Sequence, residues 1–265
     1  ERIEPKEGSD LVLTLDHTIQ FKMEETLAQL MEDFQAKGAT GIIMDPYTGE
    51  ILALANQPTF NPNEFNKVES LDVFLNRAVS TVYEPGSIIK PLTVAMGVDT
   101  GSVTPETTYF DSGELTLNGF TIKNAEEKSF GESTVQFALN NSLNTGMAFV
   151  QREVGRESFK DYMNRFWFGK QTGIDLPGEL SGNLNNIFGS RAVVRDINFA
   201  TASYGQGIAV TPLQMITAFN SIVSDGQVRK PQIVAEIRHK DGTVEQVEPE
   251  ILGQAVSQET ADTLQ

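Results

Sequence analysis

Ser87 and Lys90 stand three residues apart in Tyr83-Glu-Pro-Gly-Ser-Ile-Ile-Lys-Pro91. A serine hydroxyl attacks a carbonyl at neutral pH only when a base takes its proton. Gly86 lets the backbone turn sharply, and Pro91 is tolerated in a helix only near its first turn, so a helix begins close to Ser87. Residues three apart share a helix face, and the spacing predicts a Lys90 amine pointing back at the Ser87 oxygen. The free N–H groups of a helix start favour developing negative charge. Such a pair suits acyl transfer. Ser-x-x-Lys alone equally describes an ordinary N-cap serine, so the rest of the chain has to decide.

Acyl transfer through serine also needs a proton relay to the leaving amine, a substrate anchor and an oxyanion hole. Ser142-Leu-Asn144, within Leu139-Asn-Asn-Ser-Leu-Asn-Thr-Gly146, offers a hydroxyl and an amide after a helix-like run. Ser181-Gly-Asn183 fits the same pattern but sits in Pro177-Gly-Glu-Leu-Ser-Gly182, which reads as a turn. The chain has no cysteine, which excludes thiol catalysis, disulfides and cysteine-ligated metals. Its two histidines, His17 and His239, are far apart, lack metal-ligand spacing and read as surface residues. A net charge of −16 argues against a nucleic-acid surface, which needs a basic stripe.

The elements that must hold these residues are legible in part. At 265 residues the chain is long enough for one large domain or two small ones, and 39% hydrophobic and 21% charged residues suit a soluble globular protein. No run approaches a membrane span, and no signal-peptide pattern stands at Glu1. Leu11-Val-Leu-Thr-Leu15 reads as a strand, and residues 18–37 as an amphipathic helix ended by Gly38. Thr40-Gly-Ile-Ile-Met44 and Glu50-Ile-Leu-Ala-Leu-Ala55 form a hairpin across Asp45-Pro-Tyr-Thr-Gly49. The helix from Ser87 runs to about Val98. Residues 102–130 read as an irregular insertion, and 134–154 and 157–168 as mainly helical. Thr211-Pro-Leu-Gln214 is a capping box with proline at the first helical position, opening a helix that ends near Gly226. Gln232-Ile-Val-Ala-Glu-Ile-Arg238 and the stretch from Val244 form a second hairpin. A further helix begins around Ser257-Gln-Glu-Thr260. Together these predict an α+β fold, an antiparallel sheet flanked by helices with a mainly helical subdomain, and a site in the cleft between the two.

With these residues in place the chain resembles the transpeptidase domain of class B penicillin-binding proteins, within the penicillin-recognising serine acyltransferases. The resemblance is carried by Gly8-Ser-Asp-Leu-Val-Leu-Thr-Leu-Asp16 with Thr18-Ile-Gln20, Met44-Asp-Pro-Tyr-Thr-Gly-Glu-Ile-Leu-Ala53, Asn76-Arg-Ala78 and the Ser87 segment. Gly173-Ile-Asp-Leu-Pro-Gly-Glu179 and Tyr204-Gly-Gln-Gly-Ile-Ala-Val-Thr-Pro-Leu-Gln214 continue it in the family's order. It implies a peptidoglycan D,D-transpeptidase on the outer face of the bacterial cytoplasmic membrane, acylated by β-lactams. Ser87 would attack the penultimate D-Ala carbonyl of a stem peptide, Lys90 would take its proton, Ser142 would relay a proton to the departing D-Ala, and Asn144 would bind the peptide or β-lactam amide. No metal or organic cofactor is implied. Partners would be stem peptides, β-lactams and cell-wall synthesis proteins such as a glycosyltransferase, with a membrane anchor outside this chain and no nucleic acid.

One family motif is absent. Neither Lys170-Gln-Thr-Gly173 nor Lys240-Asp-Gly-Thr243 supplies the third motif, Lys-Thr-Gly or Lys-Ser-Gly on a strand, which in the family follows the helix that begins near Ser257. The resemblance therefore implies that the natural protein continues past Gln265, with residues 8–265 an incomplete transpeptidase domain whose C-terminal strands are missing. It makes residues 1–7 a remnant of a pedestal or linker. It also predicts a hairpin at 40–55 that lacks neighbours and exposes an open edge. A β-lactamase or penicillin-sensor domain shares Ser-x-x-Lys, and a non-catalytic cell-wall scaffold would keep the fold without the reaction.

Overall fold

The computed structural model describes residues 8–190 and 194–265, so the suggested remnant at 1–7 lies outside the described residues. In chain order the structure holds β1 (Asp10–Leu13), α1 (His17–Asp33), β2 (Ala39–Met44), β3 (Ile51–Gln57), α2 (Arg77–Ser80) and α3 (Lys90–Asp99). There follow β4 (Thr108–Asp111), β5 (Glu114–Leu117), β6 (Phe120–Lys123), β7 (Gly131–Thr134), α4 (Val135–Asn140), α5 (Asn144–Val154) and α6 (Arg156–Arg165). Then come α7 (Asn185–Phe188), α8 (Asp196–Ala202), α9 (Pro212–Ile222), β8 (Gln227–Arg229), β9 (Val234–Arg238), β10 (Val244–Gln246), β11 (Ile251–Gln254) and α10 (Gln258–Leu264). All strand ladders are antiparallel: β1–β9–β10, β2–β3, β4–β7, β5–β6 and β8–β11. This is the α+β arrangement that the patterning predicts.

The β2–β3 hairpin is better supported than its sequence suggests. Its turn is an Asp45 carboxylate accepting from the Tyr47 and Thr48 N–H groups. Along the outer edge of β3, Asp16 N–H donates to Leu52 O, and the Gln20 amide bonds both the N–H and the carbonyl of Leu54. Ile51 N–H donates to Gln232 O. The β1–α1 connection thus occupies that edge and answers the backbone groups an open strand would leave free. Side chains of α2 and α9 pack beneath the hairpin in a small core of Met44, Ile51, Ala78, Val79, Ile174 and Leu213. The expectation of a hairpin without neighbours is corrected for β3 and for this buried face.

The larger core lies in the helical part, centred on α3 and α5, with Leu92, Met96, Met147, Val150, Phe159 and Phe199 essentially inaccessible. Three departures from the sequence reading matter for the site. Residues 102–130 are not irregular: β4, β5 and β6 lie there, with the β5–β6 hairpin closing over Asn118-Gly119, a dipeptide that favours the positive φ values a tight hairpin needs. The 134–154 stretch is broken at residues 141–143, where Ser142 takes φ +54°. α1 stops at Asp33, because Gln35 enters the left-handed region before Gly38 is reached.

Candidate active site

Ser87 sits on a tight turn, Gly86–Ile89, that runs directly into α3 with Pro91 in its first turn. Ile89 and Leu92 are fully buried and fasten the turn to the large core, while Ser87 stays exposed. Residues 204–210 brace it from the side. Gly86 N–H donates to Gly205 O at 3.0 Å, Tyr83 and Val210 exchange backbone bonds at 3.0 Å, and Gly207 N–H donates to the Glu84 carboxylate at 2.9 Å. Gly205, at φ +84°, comes so close that a Cβ there would lie 2.2 Å from Gly86 O.

Lys90 is 1% exposed. Burial holds its amine well below the ordinary lysine range, at about 8, because the ammonium loses water on leaving the surface. Its Nζ donates to Ser142 O at 2.6 Å, Ser142 Oγ at 2.9 Å and Asn144 Oδ1 at 2.9 Å. An ammonium has three protons to donate, and these three acceptors use all of them. The spacing rule predicts an amine aimed at Ser87. Instead the amine is turned toward residues 142–144, and Ser87 Oγ makes no hydrogen bond to a described residue.

Ser142 occupies the break between α4 and α5. Its left-handed backbone is a conformation that non-glycine residues adopt at a cost and that recurs at functional sites. Asn144 is the first residue of α5, and its Nδ2 donates to Lys123 O at 2.8 Å. With the oxygen on Lys90 and the nitrogen on the end of β6, the amide is held at both ends. Lys123 was invisible to motif reasoning because its backbone, not its side chain, makes the contact. The available signal was the Asn118-Gly119 hairpin.

The four residues singled out in sequence fall into one cluster in part: Lys90, Ser142 and Asn144 are bonded together, and Ser87 stands one turn away on the same helical segment. Ser181 and Asn183 are not brought there. Asn183 pairs its backbone with Ala209, and its side chain accepts from Asn185 N–H. His17 is exposed at the start of α1, and His239 bonds Ser9 beside the β9–β10 turn. Among the described residues no group of three or more His, Cys, Asp or Glu is placed to hold a metal ion.

The chain matches the penicillin binding protein transpeptidase domain over residues 39–265. It is 31% identical over 262 residues to stage V sporulation protein D of Bacillus subtilis, covering 97% of this chain and 40% of that protein. It is likewise 31% identical over 220 residues to peptidoglycan D,D-transpeptidase FtsI of Escherichia coli, covering 83% of this chain and 36% of that one. The crystal structure of penicillin binding protein 3 from Mycobacterium tuberculosis, complexed with aztreonam, superposes with a TM-score of 0.90 at 30% identity, over 99% of this chain and 58% of that chain. The chain thus spans about two fifths of the length of the curated relatives it matches.

Proposed function

Since this chain belongs to the penicillin-binding protein transpeptidase domain family, we propose that the protein containing it is a peptidoglycan D,D-transpeptidase that works through an acyl-enzyme on Ser87. The observation that carries this reading is the buried Lys90 amine, held near pKa 8 and bonded to both polar members of Ser142-Leu-Asn144. An ordinary N-cap serine would have no reason to stand beside a desolvated lysine tied to a second motif, and desolvation has a cost that structure alone does not repay.

The reaction follows from the groups present. Neutral Lys90 takes the Ser87 proton as Oγ bonds to the carbonyl carbon of the penultimate D-Ala. Collapse of the tetrahedral intermediate breaks the C–N bond, and the departing D-Ala amine receives the proton through Ser142 Oγ, which already lies on the Lys90 amine. The amine of a second stem peptide then attacks the Ser87 ester and gives up a proton to the again neutral Lys90, the ester C–O bond breaks, and Lys90 passes that proton to Ser87 Oγ. Asn144, its oxygen on Lys90, anchors the substrate amide once the lysine moves toward Ser87. A β-lactam, whose ring amide mimics the scissile bond, acylates the same oxygen. We further read the protein as acting outside the cytoplasmic membrane with glycan-polymerising partners, on the strength of relatives named for sporulation and peptidoglycan transpeptidation. No helix among the described residues is long and apolar enough to cross a membrane.

Labelling of the full-length protein by a fluorescent penicillin tests the reading. The wild-type protein should form a covalent adduct that persists for hours, and Ser87→Ala should form none. Labelling that survives Ser87→Ala removes Ser87 as nucleophile. An adduct released within seconds points to a β-lactamase instead.

A further inference from the structure

α5 begins without a cap of its own. Its N-cap residue is Leu143, whose side chain accepts nothing, yet the first N–H groups of a helix need acceptors. Ser142 and Asn144 flank that position and are of the types that would cap it, but their oxygens face Lys90. The acceptor comes from another part of the chain. Asn124 Oδ1, after the end of β6, accepts from Thr145 N–H at 3.1 Å and lies 3.2 Å from Thr145 Oγ1.

Asn124 is aimed by a buried carboxylate. Asp111, at the end of β4, is 0% exposed and pairs with no cation among the described residues. Its Oδ1 accepts from Asn124 Nδ2 at 2.9 Å, Thr145 Oγ1 at 2.7 Å and Gly113 N–H at 3.0 Å, and its Oδ2 accepts from Phe130 N–H at 2.9 Å. Four donors converge on one anion, a pattern that only a carboxylate satisfies in full. The negative charge also lies by the start of α5, where the helix dipole favours it. Asn124 and Asp111 thereby do from outside what Ser142 or Asn144 would otherwise do locally.

We propose that Asp111 is a positioning residue for acyl transfer: through Asn124 and Thr145 it caps α5, which leaves Ser142 and Asn144 free to hold Lys90. The proposal rests on the Ser87 acyl-enzyme reading and adds a second, independent requirement to it. Asp111→Asn puts an NH2 group against donors that now meet a carboxylate. Thr145→Val keeps the side-chain shape and the Thr145 N–H bond while deleting the hydroxyl bond to Asp111.

Both variants of the full-length protein are mixed with saturating fluorescent penicillin, and the acylation rate constant is measured separately from the final labelled fraction. Misplacement of the second motif should lower the rate constant of Asp111→Asn about tenfold to a hundredfold, and that of Thr145→Val about threefold to tenfold, with near-complete final labelling. A purely structural role would lower the labelled fraction or the melting temperature and leave the rate constant of the surviving molecules unchanged; that result overturns the proposal. Should Asp111→Asn fail to fold, an unchanged rate constant in Thr145→Val alone overturns it. A wild-type protein that takes no label sinks the acyl-enzyme reading together with this one, whereas labelled wild type with unaffected variants sinks this one only.

Discussion

At Lys90 the proposed base and a stability switch are the same group. The amine is held at about 8 because it is desolvated, and in the proposed reaction only its neutral form takes the Ser87 proton. The acylation rate constant with penicillin should therefore climb about tenfold per pH unit up to roughly pH 8 and then level off. A profile flat from pH 6 to 9 would remove Lys90 from the role of base. The same shift bears on folding. The folded-state pKa is depressed from 10.5, so between pH 8 and 10 the unfolded chain carries a proton that the folded one lacks, and stability rises with pH at up to about 1.4 kcal/mol per unit. Above pH 10 the opposite sign takes over, because burial pushes Tyr109, Tyr162 and Tyr204 up to about 12 and the unfolded chain ionises first. Lys90→Met should abolish the rise: denaturant titrations at pH 8 and pH 10 should differ by about 2 kcal/mol more in the wild type than in the variant. The identity of this lysine was legible from its spacing to Ser87. Its orientation was not, because that depends on acceptors 52 and 54 residues further along the chain.

At the scale of elements, the Ser87 turn is held by the segment that crosses behind it. Gly205 has no room for a side chain: a Cβ would meet Gly86 O at 2.2 Å, and backbone, unlike a flexible side chain, cannot swing away. Gly205→Ala should cost about 2 kcal/mol or more and slow acylation, since the displaced atom belongs to the turn that presents Ser87. Gly178→Ala is the matched control. Its φ of +81° carries the same backbone penalty of about 1 kcal/mol, but the nearest atom to a Cβ there is 3.9 Å away, so acylation should stay at the wild-type rate. Equal effects of the two substitutions in chemical denaturation and labelling would show that φ, not the close approach, is what matters. Tyr204-Gly-Gln-Gly was visible in sequence as part of a family pattern, but its bracing contact with Gly86 spans more than a hundred residues and leaves no local trace. The β5–β6 hairpin is the opposite case. Asn118-Gly119 between alternating residues was a sufficient local signal, obscured by the turn-forming residues around it.

At the scale of the whole molecule the described residues form two cores, a small one under the β2–β3 hairpin and a larger one around α3 and α5. Lys90 opens the helix that runs into the larger core and Ser87 stands on the turn just before it, so the integrity of that core sets how rigidly they are presented. Phe159 on α6 is fully buried there, edge-on to Phe199 at 6.2 Å. Phe159→Ala should destabilise the protein by about 3–5 kcal/mol in equilibrium unfolding, and a loss below 1 kcal/mol would mean that the core collapses around the gap or is packed differently. By itself the sequence determined what adjacent residues settle among themselves: the Ser87 turn and its lysine, the Thr211 capping box, the Asp45 turn, the α+β class and the family. The family rests on the resemblance of ordered motifs, and each of the others on contacts within a few residues or on periodicities that any folded chain must obey. Tertiary structure alone decided how Ser142-Leu-Asn144, already preferred in sequence over Ser181-Gly-Asn183, is joined to Lys90, and that Asn124, bonded to the buried Asp111, accepts from the first turn of the helix that starts at Asn144. The two tripeptides match as patterns. They differ in what the distant chain packs against them, and a hydrogen bond between segments so far apart in sequence exists only once the fold has paired them.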